Sequence, residues 1–543
     1  MRRNSLWWMG LFAFGSACGG VAEGPSTEDA HAPPAADAGH DVATSKTDAP
    51  LADAKPVEKD AGEPGHDSAP ADAAVPPAGT LVDVAPLHVI FGITSDNYLI
   101  YETETEQGAT AILALSLAPG SKPILLAGST VADAGPDGGT GAGAATAYVV
   151  GAVVFVQTQM NDNYVGALSV WTSALAAPRM LTGASVLGAI GVSSDSKYFV
   201  YTGDSNATGS TATLYASTVE PGATSTVLAT SIEPTTACGF YAVFSGTYAL
   251  VQYCPVNDAG GASPAAVYAF DEATWSETPL VSDVLAFWQD NTATDVAVIT
   301  AANALEVAPI VGGGTPAQID TGVTLAYLSL TDKFVAYNTS AGALRTAALP
   351  FTGTPTTLQT SNVNGVTGIS SDEKWAITNQ ATDPSTGYPM DLSLASLSAA
   401  TASTSLTTGN ICYTNAEGFT KDLSHLVFLS DIKISSEALS NASLSAAPVG
   451  TSGPVTTITT EQAWFWSMLD GARMVYEDNY NSALGHTGRI TLHVIDLSTS
   501  TPGTTIQTGA DAYTAVSTDG TKLVYSIDTS STANGLYVYD IPQ

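Results

Sequence analysis

The sequence predicts an all-β fold assembled from a repeated four-stranded unit, preceded by an export signal and a long polar tether. Three observations carry this reading. One turn-and-strand pattern recurs ten times between residues 80 and 543. β-Branched residues followed by Gly, Asn or Asp turns occur throughout, while Lys, Arg and Gln are scarce. Charged residues make up only 12% of the 543 residues, against about a quarter in ordinary globular chains.

The first element is an address. Arg2 and Arg3 precede an apolar run over 6–14, and small residues lead to Cys18. That order is the layout of a secretory signal peptide. The run is too short to span a bilayer, and no later segment is apolar for eighteen residues. Gly15-Ser16-Ala17-Cys18 resembles the lipobox of bacterial lipoproteins, with Gly15 where that family usually carries Leu. The resemblance implies cleavage before Cys18, a signal peptide over 1–17 and lipidation of Cys18. Gly19 rather than Asp follows the cysteine, which by the same resemblance implies an outer-membrane lipoprotein. Cleavage after Ala22 by an ordinary signal peptidase is the alternative.

The second element, 18–79, is Ala, Pro, Asp, Gly and Ser with few large apolar residues. It cannot bury enough surface to offset its ordering entropy and is expected to be a disordered tether. As a flexible coil it reaches on the order of 40–45 Å.

The third element, 80–543, is the repeat. It reads Ile93-Thr94-Ser95-Asp96-Asn97-Tyr98-Leu99-Ile100-Tyr101 at its start and Val516-Ser517-Thr518-Asp519-Gly520-Thr521-Lys522-Leu523-Val524-Tyr525 at its end. Turns fall at 96, 151, 195, 246, 290, 332, 372, 422, 470 and 519, spaced 40 to 55 residues apart. Each turn is followed by an apolar strand, a polar loop, a third strand such as Leu214-Tyr215-Ala216 and a short fourth strand such as Thr504-Thr505-Ile506-Gln507. Four short strands at this period predict the blade of a β-propeller. The Ser-x-Asp-Gly turn and the later Leu-Tyr-Val-x-Asp strand resemble the WD40-like repeats of TolB-type propellers. The α/β domain that precedes the propeller in that family is replaced here by the tether. The last copy stops after its third strand, so Leu81-Val82-Asp83-Val84 is expected to supply the missing strand and close the ring. Ten copies exceed the usual four to eight blades. One large ring is favoured over two tandem propellers, because no Pro-rich break interrupts the spacing.

Cys238 and Cys254 lie symmetrically about Gly246, the turn of a predicted hairpin, and are expected to face each other as a disulfide. Export places them where such bonds persist. Cys412 is left as a core residue.

Composition and motifs exclude several functions. The net charge is −35, with 12 of the 51 acidic and 5 of the 16 basic residues before residue 80; the rest therefore carries −28. Nucleic acid is a poor partner for such a surface. No Gly-x-Ser-x-Gly elbow, His-Glu-x-x-His, Cys-x-x-Cys or P-loop occurs. No metal or cofactor site is predicted; the acidic stretch 133–139 lacks the ligand spacing of a calcium loop. The histidines, including His486 and His493, read as surface or packing residues. The turn aspartates are expected to cap their own backbones rather than act as sialidase-like boxes.

The best lead is a set of loops between second and third strands. Asn161-Asp162-Asn163-Tyr164 and Glu477-Asp478-Asn479-Tyr480 are similar in chemistry and position, and Asp204, Asn206 and the loop 382–389 occupy the same slot. In a propeller such loops share one face. Asp162, Asn163, Tyr164, Asp204, Asn206, Asp478, Asn479 and Tyr480 are therefore the candidate binding face. The sequence favours a monomeric, non-catalytic scaffold that meets the membrane only through its lipid and binds a protein, peptide or glycan. The alternative is a propeller glycosidase or lyase using paired carboxylates near the axis.

Overall fold

In the computed structural model, residues 77–542 are described except for short internal segments, the longest being 129–144, 382–389, 407–416 and 480–488. Every described element is a β-strand, all pairing is antiparallel, and the strands group into four-stranded blades. Blades 1 to 10 span 87–128, 146–186, 190–233, 241–282, 284–321, 323–359, 363–405, 417–459, 466–511 and 514–540. Blades 3 and 4 join into one sheet where Ile232 and Glu233 pair with Pro255 and Cys254.

Each expected turn sits between the first and second strands of a blade. Asp96 separates Leu87–Ile93 from Tyr98–Glu104, and Asp519 separates Thr514–Val516 from Lys522–Ile527. Asp290 and Asp332 lie outside the described residues, but strands flank both. The turn aspartates do cap their own backbones. Ser193 Oγ donates to Asp195 Oδ1 (2.8 Å) and accepts from the Tyr198 amide (2.9 Å), while Asp195 Oδ1 accepts from the Lys197 amide (3.1 Å). The same lattice recurs at Ser370 and Asp372, Thr420 and Asp422, and Ser517 and Asp519. The residue after the aspartate is left-handed in each copy: Asn97, Ser196, Glu373, Leu423 and Gly520 have φ of 63°, 59°, 59°, 58° and 69°.

The last blade is completed as the sequence predicts. Thr80–Asp83 adds as the fourth strand beside Gly535–Asp540, with Thr80 opposite Val538 and Leu81 opposite Tyr537. The anchored chain begins slightly earlier than residue 80. The Ala78 amide donates to Gln507 Oε1 (3.0 Å), and the Ala78 carbonyl accepts from the Tyr525 hydroxyl. Gly79 between them has φ 99°, and a Cβ there would lie 2.5 Å from the Val538 carbonyl oxygen, so only glycine fits.

The core is not central but layered between blades. Along each second strand, alternate residues face the preceding and following blade, as the two-residue period of a strand requires. Ile100 and Ala114 of blade 1 pack on Val154 and Trp171 of blade 2. Val475 and Leu492 of blade 9 pack on Leu523 and Tyr525 of blade 10. Val524 and Leu536 of blade 10 then pack on Leu99 and Tyr101 of blade 1. Ten such layers link every blade to the next and the tenth to the first. The blades therefore make one closed ring, not two tandem propellers. First strands of neighbouring blades touch one another, which places them nearest the axis.

The hairpin at Gly246 differs from expectation in register. Tyr241 faces Gln252 and Ser245 faces Tyr248, so its centre lies between Gly246 and Thr247. Cys254 is buried and stands opposite Glu233 of blade 3. Cys238 and Cys412 lie outside the described residues, as do Cys18, the signal segment and the tether up to residue 76.

Candidate binding face

Antiparallel order puts every loop between second and third strands at one end of the ring; Asn163, Tyr164, Asp204, Asn206 and Asn479 lie in such loops, whereas Asp478, expected in a loop, is the last residue of the strand Arg473–Asp478. They do not form one constellation. Two separate clusters arise, one on blades 2 and 3 and one on blade 9. Asp162 and Tyr480 lie outside the described residues, as does 382–389.

On blade 2 the asparagines are spent on holding the loop. Asn161 Oδ1 accepts from the Asn163 and Val165 amides (2.9 and 3.0 Å). Asn161 Nδ2 and Asn163 Nδ2 both donate to the Ala207 carbonyl of the next blade (2.9 and 3.1 Å). Asn206 caps that neighbouring loop, its Oδ1 accepting from the Ser210 and Thr211 amides (2.9 and 3.3 Å). Behind the loop, Gln157 Nε2 donates to the Tyr164 and Ser185 carbonyls (2.9 and 2.6 Å). The result is a stiff platform that displays Tyr164, which is 45% exposed and held at φ 58°. Left-handed backbone at a bulky residue persists only where surroundings impose it.

Asp204 begins the blade 3 loop at φ 50° and accepts a short hydrogen bond from the Tyr215 hydroxyl. That bond to the carboxylate, more than burial, pushes the Tyr215 hydroxyl up to about 12. Tyr215 stacks on Tyr201 with ring centroids 5.4 Å apart.

Blade 9 is built differently. Asp478 is a buried strand residue whose oxygens accept from Thr459 Oγ1 (3.0 Å) and Asn479 Nδ2 (2.9 Å) and contact His493 Nε2 (3.0 Å). The His493 ring stacks on Tyr476 at 4.7 Å, and Thr505 Oγ1 lies 3.3 Å from its Nδ1. Next to it Glu477 is 1% exposed, and neither carboxylate oxygen has a hydrogen-bond partner among the described residues. Burial alone pushes its carboxyl up to about 8. From sequence, Glu477 reads as a loop residue and His493 as a surface or packing residue, so neither stands among the candidates. The signal available was position: Glu477 continues an apolar strand, and His493 faces Tyr476 across the next one.

Among the described innermost strands a single acid occurs, Glu417 of blade 8. Paired carboxylates near the axis are thus not found on these strands.

No family model and no curated protein matches the sequence. Many solved structures match this chain. A eukaryotic initiation factor is 12% identical, with a TM-score of 0.44 over 70% of this chain and 90% of that one. The C-terminal WD40 domain of Sif2 is 11% identical, with a TM-score of 0.36 over 65% of this chain and 95% of that one. An oligogalacturonate lyase is 12% identical, with a TM-score of 0.31 over 54% and 86%. These similarities concern the fold alone.

Proposed function

We propose that this chain is an exported, lipid-anchored scaffold whose ring presents the loop face of blades 2 and 3 to a protein, peptide or glycan. The observation that carries the reading is Tyr164: a large, amphipathic ring displayed on a loop that three asparagines and Gln157 immobilise. Rigid exposed tyrosines lose little entropy on binding and are typical anchors of interfaces. The Arg2-Arg3 start, the 6–14 apolar run and the Gly15–Cys18 lipobox support export and lipidation of Cys18. The bonded state of Cys254 supports a disulfide to Cys238. Ring closure within one chain favours a monomer, and the charge of −35 disfavours nucleic acid.

Two measurements test the reading. Membrane fractionation should find wild type in the outer membrane and Cys18→Ala soluble; two soluble forms would remove the anchor. A photo-crosslinking residue placed at Tyr164 in cells should give a discrete adduct, while the same group at exposed Val311 of blade 5 should not. Equal labelling at both positions would refute the binding face.

A further inference from the structure

The outer rim between blades 2 and 3 holds a cleft of about 420 Å³. It runs beside the fourth strand of blade 2, Arg179–Val186, from Asp204 at the loop face to Ala223–Ser225 at the opposite end. The five residues 179–183 that line it cover about 13 Å of strand, long enough for a short linear ligand. We propose that this cleft is a subsite for a neutral oligosaccharide, a proposal that rests on the binding-face reading and specifies one of its ligands.

The chemistry of the wall selects the ligand. One aromatic surface is available, Tyr215, backed by buried Tyr201. The negative face of a phenol ring attracts polarised C–H groups, which one side of a sugar ring supplies. Tyr201 is fixed in turn, its hydroxyl hydrogen-bonded to Ser225 Oγ at 2.7 Å. Asp204 Oδ2 accepts the hydrogen bond of the Tyr215 hydroxyl, and a carboxylate with about four acceptor sites still has capacity for ligand hydroxyls. Gly203 leaves room for this arrangement: a Cβ there would meet Tyr215 Cε2 at 3.0 Å.

Charge narrows the class further. Arg179 and Asp204 place one cation and one anion at the two ends of the cleft. The guanidinium is held by the Ala223 and Thr218 carbonyls and Ser217 Oγ, so it positions the wall more than it recruits anions. Asp204 and the strongly negative body repel an acidic sugar. A neutral polyol with one apolar face satisfies both ends.

The test uses the full exported chain, with cellotetraose, maltotetraose and xylotetraose as neutral probes and trigalacturonate as the acidic one, read by saturation-transfer NMR and calorimetric titration. At least one neutral probe should bind, and trigalacturonate should bind more weakly. Gly183 is the blocking position, since a Cβ there meets nothing within 4 Å. Gly183→Phe should weaken binding about tenfold with an unchanged melting temperature, and the isosteric Asp204→Asn should weaken it severalfold. The proposal is overturned if no neutral probe binds, if trigalacturonate binds tighter, or if both variants leave affinity intact. A crosslink at position 164 without sugar binding would sink this subsite and leave the scaffold reading standing.

Discussion

Asn161-Asp162-Asn163-Tyr164 of blade 2 and Glu477-Asp478-Asn479-Tyr480 of blade 9 differ in sequence at one residue, yet their described residues take different places in the blade. In blade 2 the motif is a loop that begins after the strand Val153–Thr158 has ended. In blade 9 its first two residues are still in the strand Arg473–Asp478. Counting from the left-handed turn glycines, Gly151 and Gly471, the residue that matches Glu477 is Gln157. The two motifs are therefore four residues out of register. Gln157 donates its amide to two carbonyls and leaves only the neutral Oε1 without a partner among the described residues, whereas Glu477 occupies the same position with neither carboxylate oxygen partnered there. What decides the role of an Asn-Asp-Tyr cluster is how far beyond the strand it starts.

The largest expected effect follows from that contrast. Folded Glu477 keeps its proton up to about pH 8, while the unfolded chain releases it near 4.5. Stability should therefore fall as pH rises from 4.5 towards 8 and level off above, with a total of about 5 kcal/mol at most. Glu477→Gln should flatten this dependence, raising the denaturation midpoint at pH 8 and leaving it nearly unchanged at pH 4.5. A parallel pair of curves would contradict the burial argument. Conversely, Gln157→Glu should import the cost into blade 2, placing a carboxylate against the Tyr164 and Ser185 carbonyls. About 3–5 kcal/mol should be lost at neutral pH and less in acid.

The two clusters should also differ under alanine. Asp478→Ala removes a buried carboxylate that holds Thr459, Asn479 and His493 and should cost about 2–3 kcal/mol by chemical denaturation. Asn163→Ala, at an exposed loop, should cost about 1 kcal/mol or less. Similar losses at both sites would mean that the blade 9 cluster is no more structural than the loop.

How much of this was legible in sequence depends on locality. The repeat was legible because its turn is encoded within six residues: Ser517 donates to Asp519, which accepts from the Thr521 amide and hydroxyl, and Ser517 accepts from the Lys522 amide. Even the degenerate copies at Gly151 and Gly246 could be placed, because glycine marks the left-handed residue the turn needs. Closure by residues near 81 was legible from the missing fourth strand. The sites were less so. The Tyr215–Asp204 bond spans 11 residues and Asp478–His493 spans 15, with strand register deciding whether they meet. The hairpin centre between Gly246 and Thr247, not on Gly246, shows the same limit: a half-residue shift changes every facing pair.

The smallest predicted effect compares turn copies. Gly520 occupies a left-handed position that Glu373 fills at strain. Gly520→Ala should lower stability by about 1 kcal/mol, and Glu373→Gly should lower it less or raise it, because relief of strain opposes the added freedom of the unfolded chain. Equal losses at both positions would argue that the two turns are not equivalent.

The fold rests on a single ring of ten blades closed by the strand Thr80–Asp83. Class averages from electron microscopy of the purified exported chain test it most directly. A closed ring of ten blades gives one toroid with ten radial densities in end-on views. Two smaller toroids per particle, or a ring with an open seam between blades 10 and 1, would contradict it.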